Sequence, residues 1–221
     1  MVVALVLITF AVFITVDILL NREKYAFPVV AAVQEEPRKA PVPVVAGVSL
    51  PEHLEYHPGH TWAVAEGSHR LRVGIDEFAA RLLGRLTQVE MPLRGRWFGQ
   101  GERGWTLHAG NRKAALPMPV EGEVIEVNEE AVAHPEKIAA DPYGEGWLLV
   151  VRSADPALSL RNLLNGTLAR RWMEAAVAEL RRALSPLAAA TAPDGGLVIS
   201  GIAQRLEAEQ WEELARRFFR L

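Results

Sequence analysis

The sequence has no cysteine among its 221 residues. Disulfide bonds, thiolate metal sites and thiol catalysis are therefore excluded together. The formal net charge is only −3, without the basic surplus that binds a phosphate backbone, so we expect no nucleic-acid partner. No nucleophile–histidine–acid arrangement, phosphate-binding glycine loop or pair of catalytic carboxylates stands out. These absences predict a protein without a catalytic site of its own.

Long apolar runs are also scarce, apart from one near the N-terminus. Between residues 2 and 20 the only polar side chains are Thr9, Thr15 and Asp17. A helix of this length rises about 28 Å, which is close to the thickness of the hydrocarbon core of a bilayer. We therefore predict one transmembrane helix, with residues 1–21 as a membrane anchor.

The charges around this run favour one orientation. Arg22 and Lys24 follow the run, and no lysine or arginine precedes it. The positive-inside rule then predicts a single-pass protein of the inner (cytoplasmic) membrane, with the soluble domain facing the cytoplasm. A cleaved signal peptide is one alternative, but it needs positive charge before the run. A buried core helix is another, but it needs a polar face, which this run lacks.

Three further regions follow the predicted anchor. Residues 22–51 are interpreted as a Pro/Ala-rich linker, because its prolines interrupt regular structure and keep the tether semi-extended. Residues 52–184 are interpreted as the main domain together with a C-terminal helix. Residues 185–221 are interpreted as a C-terminal extension that contains an amphipathic helix.

The main domain has the pattern of a β-rich fold. Short β-branched and aromatic runs between Tyr56 and Val151 are separated by glycine and proline, too closely for alternating strand–helix units. Short helices are expected at residues 76–83, where Asp76 is a candidate N-cap, and after Asn128.

The C-terminal third is helical in pattern. Apolar residues recur at helical spacing in Leu168, Trp172, Met173, Val177, Leu180 and Leu184. A turn signal at residues 193–196 and an apolar run at 197–199 precede a final amphipathic helix with Trp211, Leu214, Ala215 and Phe218. We expect that helix to pack against its own domain; contact with an anionic membrane or a partner is the alternative.

Several short motifs occur in a fixed order between His60 and Leu148. They include His60-Thr61-Trp62, Val73-Gly74-Ile75, Val89-Glu90-Met91-Pro92, Pro119-Val120-Glu121-Gly122-Glu123-Val124, Val127-Asn128-Glu129 and Asp141-Pro142-Tyr143-Gly144-Glu145-Gly146-Trp147-Leu148. Their order and spacing resemble the H protein of the glycine cleavage system. The resemblance implies a mainly β (α+β) barrel-sandwich hybrid, in which two small antiparallel sheets pack face to face with helices at the periphery. It also implies a carrier, in which a lysine at a hairpin tip bears lipoate.

The position of that lysine departs from the family pattern. The family signature there is Glu-Ser-Val-Lys-Ala. Counting forward from Pro92 and counting back from Gly122, both without gaps, reaches Asn111. Gly110-Asn111 is a pair typical of two-residue hairpin turns, so we predict a turn there and no lipoylated lysine at the tip.

Two neighbouring residues complete the candidate site. Lys113 is the alternative lipoyl site, but it requires a two-residue shift of the hairpin register. His108 replaces the acidic residue of the signature; we expect it on the hairpin surface, with a ligand-binding cleft residue as the alternative. His53, His57 and His60 are interpreted as surface or loop-packing histidines, and we expect no metal site.

These observations predict a membrane-tethered H-like protein that carries no cofactor. It would act as a non-catalytic binding or assembly module, held at the membrane by its N-terminal helix and bound to unidentified protein partners. The alternative is a working lipoyl (aminomethyl) carrier of a glycine cleavage-type system, modified on Lys113. A small-ligand sensor built around His108 is a third possibility that the sequence leaves open.

Overall fold

The computed structural model describes residues 2–20, 42–188 and 200–220. The chain divides into two compact units, Met1–Pro41 and Val42–Leu221, and each is described by itself. The predicted turn at 193–196 and the apolar run at 197–199 lie outside the described residues, as does most of the predicted linker.

The first unit contains helix α1, Val2–Leu20. Two threonine hydroxyls are satisfied inside this helix: Thr9 donates to the carbonyl of Val6 (2.8 Å) and Thr15 donates to that of Ala11 (2.7 Å). Among the residues that the structure describes, no helix has the length and apolar character that crossing a membrane requires. The predicted helix is therefore present, but the predicted transmembrane span is not found.

Six strands of the second unit form its larger sheet, which is antiparallel throughout, in the order β3–β4–β5–β11–β10–β7. In chain order these strands are β3 (Glu55–His57), β4 (Thr61–Ala65), β5 (Arg70–Ile75), β7 (Trp97–Phe98), β10 (Gly122–Val127) and β11 (Leu149–Arg152). Gly74 leaves room for the ring of Trp62, its partner across β4 and β5, because a Cβ there would fall 2.7 Å from that ring.

The smaller sheet has three antiparallel strands in the order β6–β8–β9. They are β6 (Gln88–Glu90), β8 (Arg103–Ala109) and β9 (Arg112–Pro117), so β9 is an edge strand. Buried side chains from both sheets, such as Trp62 and Leu107, belong to one apolar core. The predicted mainly β fold of antiparallel sheets with peripheral helices is confirmed.

A further strand pair lies in the range that was predicted to be linker. Strands β1 (Val44–Val45) and β2 (Val48–Ser49) form a two-stranded antiparallel ladder. Val45, Val48 and Leu50 are buried against the core. The folded unit therefore begins at Val42, earlier than predicted, because these apolar side chains find a packing surface that the local proline content does not reveal.

Side-chain caps begin the two short helices that the sequence predicted. Helix α2 (Glu77–Leu83) starts where the Asp76 carboxylate accepts a hydrogen bond from the Ala79 amide, at 2.8 Å. Helix α3 (Glu129–Ala133) starts where Asn128 Oδ1 accepts one from the Ala131 amide, at 3.1 Å. Both predictions are confirmed, since an N-cap side chain satisfies an amide that the helix itself leaves free.

The remaining helices surround the sheets. They are α4 (Glu136–Ala140), α5 (Pro156–Arg161), α6 (Gly166–Ala188), a 3₁₀ turn (Ile202–Gln204) and α7 (Ala208–Phe219). Helix α7 buries Trp211, Leu214 and Phe218 against its own domain, as expected. Leu168 was wrongly placed on the apolar face of α6: it lies in the first turn of the helix and is 63% exposed.

A buried histidine contacts three of these helices. His60 Nδ1 lies 2.7 Å from Asp76 Oδ2, and both side chains are buried. The His60 ring stacks on Phe78, with centroids 4.2 Å apart, and lies 4.7 Å from Trp172 and 6.0 Å from Phe218. His60 lies in the turn between β3 and β4, so it is a loop-packing histidine and not a surface one, because Asp76 supplies the partner that lets an imidazole enter the core.

Nearby His57 makes the stability of the domain depend on pH. Burial, followed by the positive charges of Arg220 and His60, lowers the pKa of His57 from 6.5 to about 4. Its Nδ1 also accepts a hydrogen bond from the Gly59 amide, at 3.0 Å, which protonation of that atom would abolish.

We expect the free energy of unfolding to fall as the pH drops from about 6.5 to about 4, because only the unfolded chain then binds a proton at position 57. His57→Asn keeps an acceptor near the Gly59 amide without a titrating group, so its stability should depend less on pH in this range. Chemical denaturation followed by tryptophan fluorescence measures both slopes. Equal slopes for the two proteins would contradict the assignment to His57.

Candidate functional site

The candidate site is the hairpin of β8 and β9. Ala109 pairs with Arg112 in the ladder, so Gly110 and Asn111 alone form the turn. Gly110 has a φ of +65°, whereas Asn111 does not adopt a positive φ. A positive φ at the first central position only is that of a type II′ turn, which glycine favours there. The predicted two-residue turn is confirmed, with Asn111 exposed at its tip.

The register of the ladder places Lys113 in a strand, away from the turn. Lys113 lies opposite His108, and the next pair is Leu107 with Ala114. Leu107 and Ala114 are buried, whereas Lys113 is exposed and His108 is partly exposed. Since neighbouring strand residues alternate between faces, Lys113 projects from the side of the hairpin that faces away from the core.

His108 is engaged by the neighbouring strand. Its Nε2 lies 2.7 Å from Glu90 Oε1, and Glu90 belongs to β6. Gln88 of the same strand lies directly opposite His108 in the ladder. His108 thus lies on the polar face of the small sheet, in contact with a carboxylate and beside Lys113.

The C-terminal helix α7 docks on the edge strand of this hairpin. The Trp211 indole N–H donates a hydrogen bond to the Lys113 carbonyl at 2.9 Å. The Arg112 guanidinium donates one to the Leu206 carbonyl at 2.6 Å, just before α7 begins. Because Trp211 is only 2% exposed, its N–H needs this protein acceptor. The free edge of β9 is thereby partly covered, which also limits unwanted strand pairing.

The hairpin and α7 enclose a groove of about 650 Å³. Asn111, Lys113 and His108, the three residues that the sequence singled out, all line it. The helix contributes residues that sequence reasoning missed: Trp211, Glu212, Ala215 and Arg216. These residues reach the groove because α7 contacts β9, a strand about a hundred residues earlier in the chain. The signal available in the sequence was the tryptophan on the apolar face of the last helix.

The three histidines near the start of the domain differ in their exposure to solvent. His53 is exposed, His57 is partly buried in β3, and His60 is buried with Asp76. Within the ranges 2–20, 42–188 and 200–220, no three or more histidine, cysteine, aspartate or glutamate side chains are grouped so as to hold a metal ion.

Comparisons with known proteins agree on one family. Residues 54–176 match the family model described as Glycine cleavage H-protein. A glycine cleavage system H protein of Cyanothece sp. is 40% identical over 127 residues, which cover 58% of this chain and 97% of that protein. One from Prochlorococcus marinus is 35% identical over 117 residues, which cover 53% and 90%.

Among solved structures, the crystal structure of a glycine cleavage system H protein from Mycobacterium marinum is 32% identical to this chain. The similarity covers 53% of this chain and 94% of that one, with a TM-score of 0.48. The match to the family model ends at residue 176, so the groove joins a hairpin inside the matched range to a helix beyond it.

We expect Trp211→Phe to loosen α7, because the Lys113 carbonyl loses its indole donor while most of the aromatic packing remains. The cost should be about 1 kcal/mol, in line with a single hydrogen bond. Hydrogen exchange should become faster in residues 208–219 while the strands of the large sheet keep their protection. Trp97→Phe is the matched control, since Trp97 is 57% exposed. Equal exchange in both variants would contradict the docking role of Trp211.

Proposed function

This chain belongs to the glycine cleavage H-protein family, and we propose that it is a member whose hairpin does not carry lipoate and which acts as a non-catalytic binding or assembly module. Proteins of the family are lipoyl carriers without catalytic activity of their own. The β-sheet scaffold that supports the carrier hairpin is retained here, so the proposed difference lies at the tip of the hairpin.

One observation carries the proposal: Asn111 is the exposed residue at the tip of the turn. Attachment of lipoate forms an amide bond between its carboxyl group and the free ε-amine of a lysine. The side-chain nitrogen of asparagine is already part of an amide, and its lone pair is delocalised into the carbonyl. Asn111 therefore offers no nucleophile for this modification.

The structure of β9 argues against Lys113 as a substitute. Moving Lys113 to the tip requires a two-residue shift of the ladder. That shift breaks the hydrogen bonds of Trp211 to the Lys113 carbonyl and of Arg112 to the Leu206 carbonyl. It also moves Gly110, the residue suited to a positive φ, out of the turn. These losses favour the unshifted hairpin.

The neighbours of Asn111 support the same proposal. His108 stands where the family signature has glutamate, and Arg112 stands where it has alanine. The Arg112 guanidinium donates a hydrogen bond to the Leu206 carbonyl, in the segment that leads into α7. The hairpin is thus used as a docking surface within the chain, a role that an adaptor retains without any modification.

A lipoyl carrier modified on Lys113 is the second candidate. It is favoured by the exposed Lys113 side chain and by the retained family scaffold. In that case the protein would transfer an aminomethyl group in a glycine cleavage-type system. We expect protein partners in both cases, and no nucleic acid.

Lipoylation tests these candidates directly. We expect the chain, expressed with an active lipoate ligase, to keep its unmodified mass, because Asn111 has no nucleophilic amine. Asn111→Lys should gain a lipoyl group, since the exposed turn position accepts lysine without a positive φ. Intact-mass spectrometry and peptide mapping across the hairpin provide the measurement.

The controls separate the two lysines. Lys113→Arg removes an amine from the hairpin. Lys137→Arg removes one from helix α4, outside the hairpin. A lipoyl increment on the unsubstituted chain that disappears only in Lys113→Arg would overturn the proposal and restore a carrier. Failure of Asn111→Lys to become modified would show that the hairpin is closed to the ligase for reasons other than residue 111.

We further propose that α1 attaches the chain to the inner (cytoplasmic) membrane, with the domain on the cytoplasmic side. Support comes from large apolar side chains that are exposed around the helix: Val6, Leu7, Ile8, Phe10, Val12, Phe13, Ile14, Val16 and Leu20. The threonine hydroxyls bond to helix carbonyls, which lowers the cost of an apolar environment. Attachment of this kind needs apolar contact and does not depend on a full span.

Membrane attachment is tested by fractionation. We expect the full chain to sediment with membranes after a high-salt wash, and Phe10→Lys with Phe13→Lys to move it to the supernatant, because charges on the apolar surface of α1 oppose its burial in the bilayer. Leu93→Lys with Leu168→Lys is the matched control, since it replaces exposed apolar residues of the domain. Sedimentation that resists the α1 substitutions would contradict the proposed attachment.

A further inference from the structure

The groove between the hairpin and α7 carries a surplus of positive charge. Four basic side chains line it, Arg103, Arg112, Lys113 and Arg216, against one acidic side chain, Glu212. Among the described residues, Arg103 and Lys113 form no ion pair with a carboxylate. Like charges held together repel one another, and an anion placed between them relieves that repulsion.

The donors of these side chains are only partly used. Arg112 donates through one terminal nitrogen to the Leu206 carbonyl, while its Nε is buried with no hydrogen-bond partner in the described part of the chain. Arg216 donates through Nε to the Glu212 carbonyl of its own helix, at 3.3 Å. Guanidinium groups have five N–H donors arranged for planar oxyanions, so both arginines retain donors for a ligand.

The rest of the lining is apolar and small. Ala114, Ala115, Ala208 and Ala215 belong to the lining, and Trp211 forms part of the same wall. The volume of about 650 Å³ falls in the range of small-molecule sites, roughly 300–1,000 Å³. Short alanine side chains leave room for an apolar body beside the charged end of a ligand.

We propose that this groove binds an organic anion with a short apolar body that ends in a carboxylate or a phosphate. Arg103, Lys113 and Arg216 supply the positive charge that attracts the oxyanion, and the small alanine residues of the lining leave room for the apolar body. The site exists only because α7 docks on β9, so it depends on the extension beyond the residues that match the family. The inference rests on the proposed function, because it requires an unmodified Lys113.

The test is calorimetric titration of the full chain in nanodiscs of zwitterionic lipid. Hexanoate and hexyl phosphate are the two anionic probes, and hexanol is the neutral probe of the same length. We expect saturable binding of at least one anion, and the tighter of the two identifies the preferred oxyanion. Binding that is absent for both anions, or as tight for hexanol as for them, would overturn the proposal.

Paired variants locate the site. Arg103→Gln with Arg216→Gln should weaken binding of the preferred anion about tenfold, in line with the loss of two exposed charge contacts. Arg161→Gln with Arg171→Gln removes the same charge from exposed positions outside the groove and should change it less than about twofold. Equal weakening by both pairs would mean general charge attraction and would overturn the groove assignment.

Two further measurements keep the result decisive. If the groove variant loses its fold, raising the salt concentration from about 0.05 to about 0.5 M on the unsubstituted chain should still weaken anion binding and leave hexanol unaffected. The intact mass of the same preparation separates the two proposals. A lipoyl group on Lys113 refutes the proposed function, whereas an unmodified chain that binds no anion refutes only this inference.

Discussion

The register of the β8–β9 hairpin is the constraint on which the candidate site depends. A glycine with a φ of +65° fixes the two-residue turn, and the Trp211 and Arg112 hydrogen bonds hold the first two residues of the edge strand that follows it. A type II′ turn matches the twist of the two strands, so local geometry and long-range docking favour the same pairing. With this pairing, Asn111 occupies the tip and Lys113 lies in the strand.

Under the proposed function, this constraint would explain how a carrier scaffold serves a different role. The sheets and their core follow the family pattern, but the hairpin now supports the C-terminal helix of the same chain. Arg112 replaces an alanine of the family signature and reaches the segment before α7, which links the altered signature to the extension. The same contacts create a basic groove beside the tip of the hairpin, which Asn111 also lines.

Features set by local chemistry could be predicted from the sequence. Asp76 and Asn128 cap helices through bonds to amides three residues away, and Gly110-Asn111 forms a turn through its own backbone preferences. Features that depend on residues distant in the sequence could not be predicted in this way. His60 enters the core because Asp76 reaches it, and the β1–β2 pair forms within a proline-rich segment because Val45 and Val48 meet the core.

The measurement that tests the central claim most directly is the set of cross-strand nuclear Overhauser effects in the hairpin. The account predicts contacts between Ala109 and Arg112 and between His108 and Lys113, as the ladder requires. A shift of two residues would replace them with contacts between Asn111 and Ala114 and would bring Lys113 into the turn. Observation of that second pattern would contradict the account, because the hairpin would then present a lysine at its tip.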